Sequence, residues 1–161
     1  KDTPMYATLR GTSNRRYMGE ANGSDKHFSF SIPSREENHR LHLFESSIDL
    51  LSFCTLELFS DKDWRQENCL SLAGIYQPKK NMSESTPPAA LMQFLKDFPQ
   101  IKEITLHLDN DTAGRLAAET IKTLLSSSYI IFDKPPKRGK DMNDYLKILL
   151  GLQHSQEIER L

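Results

Sequence analysis

The chain has 161 residues, 37% of them hydrophobic and 27% charged, and a formal net charge of −1. That is enough to bury the core of a globular domain, and no apolar run is long enough to span a membrane. The near-neutral balance means that a nucleic-acid partner has to be met by local basic clusters rather than by the chain as a whole.

In chain order, Met5 to Arg10 and His27 to Ile32 alternate apolar and polar residues like strands. A Gly/Asn/Ser-rich stretch with Arg15, Arg16 and Lys26 separates them. This predicts a small β-rich segment over 1–38 ahead of a larger domain over 39–161. Arg10 and Lys26 are candidates for phosphate contact, the plainer alternative being solvated residues on a hairpin.

Arg40-Leu-His-Leu-Phe44 reads as a strand ended by Glu45, and Ile48 to Phe59 as an amphipathic helix. Asn68 to Gly74 reads as a buried strand closed by a glycine turn. Tyr76 to Pro88, with Lys79, Lys80, Ser83, Ser85 and three prolines, is a loop, and Ala89 to Phe98 a helix. Ile104, Leu106 and Leu108 alternate as a strand, with His107 on the opposite face and expected to be packed or hydrogen-bonded. A helix follows over Ala113 to Leu125. Tyr129 to Phe132 is a last strand, followed by the stiff basic loop Lys134-Pro-Pro-Lys137-Arg138-Gly-Lys140. That loop is read either as a phosphate contact or as an ordinary solvated turn.

Asp109 and Asp111 stand at the carboxyl end of one strand, where open α/β sheets bind ligands, and paired hard oxygen donors suit Mg²⁺. Asp111 alone is equally a helix N-cap. Glu45 is a second acid at a strand end, which capping explains less well. Clustered carboxylates repel, so at least one should have a raised pKa in the metal-free protein. Phosphoryl transfer uses carboxylate-held Mg²⁺ to neutralise phosphate oxygens, and a nearby Glu to move a proton.

Three segments, Phe44-Glu45-Ser-Ser-Ile-Asp49, Leu108-Asp109-Asn-Asp111-Thr-Ala-Gly114 and Gly139-Lys140-Asp141-Met-Asn143-Asp144-Tyr-Leu146, resemble the ordered signatures of a Toprim domain. This catalytic fold is shared by bacterial primases, topoisomerases and some nucleases. The resemblance implies an α/β fold, a sheet of four parallel strands flanked by helices, with the acids at one sheet edge. It makes Glu45 the general acid or base and a member of the metal set, Asp109 and Asp111 the principal catalytic acids and ligands of Mg²⁺ or Mn²⁺, and Asp49 and Asp141 further acids of that set. Two positions depart from the primase pattern: Ser46 stands where Gly is usual, and Asn143 where a second acid is usual, which leaves one metal or two open. Tyr6 to Thr12 with Gly23 to Lys26 resembles the segment ahead of Toprim domains in primase-like proteins of plasmids and conjugative elements.

The implied activity is Mg²⁺-dependent nucleotidyl transfer of primase type, with a nuclease or a catalytically weak nucleic-acid-binding module as alternatives. The implied partners are single-stranded DNA and nucleotides, touched by Lys134, Lys137, Arg138, Lys140, Arg10 and Lys26. The chain opens mid-pattern without Met, so further domains of a longer parent protein are expected.

Cys54 and Cys69 form no Cys-x-x-Cys pattern and read as reduced core residues. His27, His39, His42, His107 and His154 lack metal-ligand spacing. With no signal peptide, membrane span, internal repeat or Walker loop, a cytoplasmic protein is expected.

Overall fold

The computed structural model describes residues 3–12, 17–74, 76–81 and 84–152. Arg15, Arg16, Ser83 and His154 lie outside them. Strands β1 (Thr8–Arg10) and β2 (Met18–Glu20) pair antiparallel as a hairpin. The strand expected over His27 to Ile32 is cut short, because Asp25 accepts a hydrogen bond from the His27 amide and winds Lys26–Phe28 into a 3₁₀ turn. Only Ser31–Ile32 (β3) remains extended.

Next come β4 (Arg40–Phe44), α1 (Ser47–Phe59), β5 (Asn68–Ser71), α2 (Ala89–Asp97), β6 (Glu103–Leu106), α3 (Thr112–Leu125), β7 (Ile130–Asp133) and α4 (Met142–Leu149). The sheet order is β3-β5-β4-β6-β7, with β5, β4, β6 and β7 parallel and β3 antiparallel at the edge. The four parallel strands are those expected. The fifth strand comes from the N-terminal segment, which thus contributes to the main sheet as well as to a hairpin.

The period-2 pattern divides the sheet's two faces. Leu41 and Leu43 on β4 and Ile104 and Leu106 on β6 are fully buried and pack with Leu91, Phe94 and Leu95 of α2 and with Ala117, Ala118 and Ile121 of α3. Phe44 faces the other way, into a second cluster with Leu50, Phe53 and Cys54 of α1 and Met142 of α4. Each fully buried aliphatic or aromatic side chain contributes about 1.5–3 kcal/mol by leaving water. Both cysteines are free and buried. No helix among the described residues is long and apolar enough to cross a membrane.

The connections decide where a ligand can enter. The chain leaves β4 for its neighbour β5 on one side and leaves β6 for β7 on the other, so the segments after β4 and β6 diverge although the two strands are paired. A crevice opens at such a switch point, beyond the carboxyl ends of the strands. Glu45 directly follows β4, and Asp109 lies just past β6.

Candidate active site

Glu45 is fixed by its backbone before its side chain matters. Its carbonyl accepts the Gly74 amide at 2.8 Å, and Gly74 has φ +110°, a conformation that glycine adopts without steric cost. The glycine turn after β5 therefore serves to hold the first acid. The Glu45 side chain is 6% exposed and accepts the Asp109 amide at 3.3 Å. Burial pushes its carboxyl up to about 7, with the Asp109 and Asp111 charges adding to the rise and the Asp109 amide and Lys140 opposing it.

Asp109 is also buried, and burial raises its pKa while the Lys140 ammonium works against the rise. The main chain around it is clamped by Arg115, one turn into α3. Arg115 donates from Nε to the Asp109 carbonyl at 3.2 Å and from Nη2 to the Leu108 carbonyl at 2.9 Å. Its Nη1 holds both oxygens of Asp133 on β7, at 2.9 and 3.0 Å. Sequence reasoning gave this residue no role, because an Arg on the first turns of a helix looks like any solvated charge.

Asp111 is the helix N-cap, and its second oxygen is left over for a charged partner. One carboxylate oxygen accepts the Gly114 amide at 2.9 Å and caps α3, and the other lies 3.2 Å from Lys140 Nζ. The Gly114 hydrogen bond, followed by Lys140, holds its pKa below the usual value.

Lys140 Nζ also lies 3.1 Å from Asp109 Oδ2, so one ammonium spans both acids of the Asp-x-Asp pair. This pairing lifts the lysine pKa well above its ordinary value. The Lys140 carbonyl accepts the Asn110 amide at 2.7 Å. Gly139 before it has φ +81°, and Asp141 after it caps α4 by accepting the Asp144 amide at 2.7 Å.

Asp49 lies behind this group. Ser46 caps α1 through the Asp49 amide and donates its hydroxyl to the Asp49 carboxylate. The other Asp49 oxygen accepts the Asn143 amide at 3.2 Å, tying α1 to α4. Burial raises Asp49 to about 6, Ser46 and Asn143 pulling down and Asp141 pushing up. The two positions that depart from the primase pattern thus meet on one carboxylate.

Glu45, Asp49, Asp109 and Asp141 line one cavity of about 440 Å³ with Lys140 and Arg10, the latter brought in by the N-terminal hairpin. Lys26 lines an adjoining hollow of about 370 Å³ and pairs with Glu20 at 3.1 Å. Lys134 and Lys137 line a different groove, of about 860 Å³, where His42, His107, Phe132 and Tyr145 lie between α1, α4 and the sheet. Arg138 is exposed on the loop between. The basic cluster is therefore divided: Lys140 goes to the acids, and Lys134 and Lys137 to the groove.

Beneath the groove runs a polar chain that sequence reasoning missed, since its members are far apart in sequence. His107 stacks on Phe44 with ring centroids 5.0 Å apart and donates from Nδ1 to the Lys134 carbonyl at 2.9 Å. Its Nε2 stands 2.9 Å from His42 Nδ1, and His42 Nε2 lies 3.4 Å from Glu67. Burial, then the neighbouring His42, lowers the His107 pKa to about 3, so it is neutral, and packed as expected.

Among the described residues, no three His, Cys, Asp or Glu side chains form a ready-made metal cage. The donor chemistry nonetheless fits a hard divalent cation: Asp109 and Asp111 already aim one oxygen each at a single positive charge, and further carboxylates line the cavity.

Among solved structures, the chain is similar to the primase fragment of the bacteriophage T7 primase-helicase protein, with 18% identity and a TM-score of 0.51. That match covers 96% of this chain and 55% of that one, so the chain spans about half the fragment's length. At this identity the likeness bears on fold alone. A putative protein from Aquifex aeolicus is 21% identical over 74% of this chain and 84% of that one, at a TM-score of 0.37. No curated protein matches. The model of the family described as Toprim-like matches residues 42–146, which take in the end of β4 with Glu45, the Asp109 strand end and the start of α4. With well over half its length so matched, the chain belongs to the Toprim-like family.

Proposed function

We propose that this domain performs Mg²⁺- or Mn²⁺-dependent nucleotidyl transfer on nucleic acid, in the manner of a primase. The observation that carries the reading is the placing of Glu45 against Asp109 at the ends of paired strands, with the Glu45 carboxyl near 7. In the metal-free protein that carboxyl exchanges its proton near neutrality, and beside the Asp109 and Asp111 pair it is placed to pass a proton to or from a reacting oxygen, as a general acid or base must.

Asp109 and Asp111 would hold the cation, with Glu45, Asp49 and Asp141 completing the negative field around it. When bound, the cation neutralises phosphate oxygens and orients the reacting group. Glu45 takes or gives the proton at the attacking or leaving oxygen. Arg115 and Gly114 keep the Asp109 backbone in place. Arg10, Lys26 and Lys140 meet nucleotide phosphates from the cavity rim, and Lys134, Lys137 and Arg138 follow the backbone of a single strand. In this reading residues 1–38 form a basic flank to the catalytic part over 39–161, and further domains of a parent protein supply the rest of the activity.

The test is incubation of the full-length protein with single-stranded DNA, labelled ribonucleotides and Mg²⁺. Extended products that disappear in Glu45→Gln support the reading. Shortened DNA in their place identifies a nuclease, and intact DNA with retained strand binding identifies a binding module.

A further inference from the structure

Lys140 occupies an unusual place for a residue of a basic loop. Its Nζ is 3.1 Å from Asp109 Oδ2 and 3.2 Å from Asp111 Oδ2, oxygens of the two acids that would hold a divalent cation. Its main chain cannot retreat. The carbonyl is held by the Asn110 amide, the preceding Gly139 turn abuts Asp144, where even a β-carbon would come within 2.8 Å, and Asp141 immediately begins α4. The freedom that remains is in the side chain, which is 52% exposed. An ammonium on a flexible four-carbon stem is a mobile point charge, and a divalent cation drawn to the same pair of carboxylates repels it at close range.

We propose that Lys140 is a tethered counter-ion, displaced from Asp109 and Asp111 when a divalent cation binds and thereby released to contact substrate phosphate at the cavity rim. The inference rests on the metal-dependent reading above. Two states follow for one side chain. While it bridges the acids, it relieves the repulsion among buried carboxylates. Once released, it still projects from a fixed backbone, so its charge stays within reach of the site and is available to the phosphate that arrives with the metal. A lysine that only tied the loop to the sheet would keep its ion pairs whether or not the cation was bound.

Mg²⁺ alone serves as the probe, titrated calorimetrically into the full chain after removal of metal with chelator. Competition predicts that Lys140→Met binds Mg²⁺ more tightly than wild type, by about 5-fold or more, the scale usual for coupling between two sites. In the wild type, acylation of Lys140 by an amine-reactive ester, followed by mass spectrometry, should become faster as Mg²⁺ is added. Unchanged or weaker Mg²⁺ binding in Lys140→Met, or an unchanged acylation rate in the wild type, overturns the counter-ion role. Asp109→Asn separates the two claims. If wild type binds Mg²⁺ and this variant does not, the metal reading stands whatever Lys140 does. If wild type binds none at millimolar concentration, both fall.

Discussion

A β-carbon placed on Gly114 would stand 2.2 Å from the carbonyl oxygen of Asp109. The first turn of α3 therefore lies directly against the strand end that carries the first acid of the pair, and only a residue without a side chain fits. Glycine inside a helix costs about 0.5–1 kcal/mol relative to alanine, so ordinary helix preference works against it here. Gly114→Ala should push Asp109 away from Glu45, destabilise the fold by about 1–3 kcal/mol in denaturant unfolding, and weaken Mg²⁺ binding in calorimetry. A variant as stable as wild type with unaltered Mg²⁺ binding would show that the contact is slack.

Arg115 should behave as a positioning residue. Its planar fork serves two carbonyls and a carboxylate at once, which an ammonium cannot reproduce. Arg115→Lys is expected to lose about 1–3 kcal/mol of stability and to lower activity, although the side chain never reaches the cavity. Equal stability and activity in Arg115→Lys, measured by thermal unfolding and turnover, would remove it from the site.

Stability of the metal-free protein should have limbs of opposite sign with pH. Glu45 rises on folding from 4.5 to about 7, so the folded state binds the extra proton, and stability falls as pH increases through that window. Asp49, raised from 3.8 to about 6, has the same sign. Glu67 goes the other way: hydrogen bonds from His42 and Arg40 outweigh its burial and hold it at about 2, so its contribution is present above 4.5 and lost as pH falls towards 2. Glu45→Gln should flatten the limb between 4.5 and 7, and Glu67→Gln the acid limb, both read from chelator-treated protein in urea. A limb that survives its own substitution assigns it to another group.

Asp111→Asn is a cleaner probe than it first looks. Asn is as good an N-cap as Asp, so α3 keeps its start while the site loses one charge. Mg²⁺ binding and turnover should fall together at nearly constant melting temperature. Glu45→Gln should lower turnover by about 10²–10⁴-fold, with Mg²⁺ binding closer to normal. A single pattern shared by both variants would mean that the two residues are not divided into ligand and proton carrier.

The division of the basic loop predicts two different salt responses. If Lys134 and Lys137 meet a strand in the groove, each contact should contribute roughly 0.7 to the slope of log affinity against log salt for single strands. Lys134→Gln with Lys137→Gln should flatten the slope by about twice that, with similar loss on every DNA sequence. An unaltered slope would move strand binding to Arg10 and Lys26.

What could be read from the sequence was whatever has a period or a position. The four parallel strands, the helices α1, α2 and α3 and the acids at the strand ends follow from periodicity and from residues such as Glu45 and Asp109 that interrupt it, whereas α4 was not read. The strand expected from His27 was read too long, because a hydrogen bond that the Asp25 side chain accepts from the His27 amide decides where the extended backbone of β3 begins. The aim of Lys140 was equally hidden: a run of Lys and Arg displays charge, while the Asn110 hydrogen bond that points it at the acids is a tertiary fact. Gly74, Arg115 and the His42–His107 pair are similar cases, each defined by a partner brought close only by the fold.

Ser46 and Asn143 share Asp49, and this gives the two departures from the primase pattern a joint energetics. Ser46→Gly removes a hydrogen bond that favours the charged carboxyl, and Asn143→Asp adds a negative charge beside it, so each change alone drives Asp49 towards uptake of a proton. A carboxyl can be neutralised only once. The second substitution, made in the background of the first, should therefore cost less than it does in the wild type, and restoring the family residues one at a time should misstate what restoring them together does.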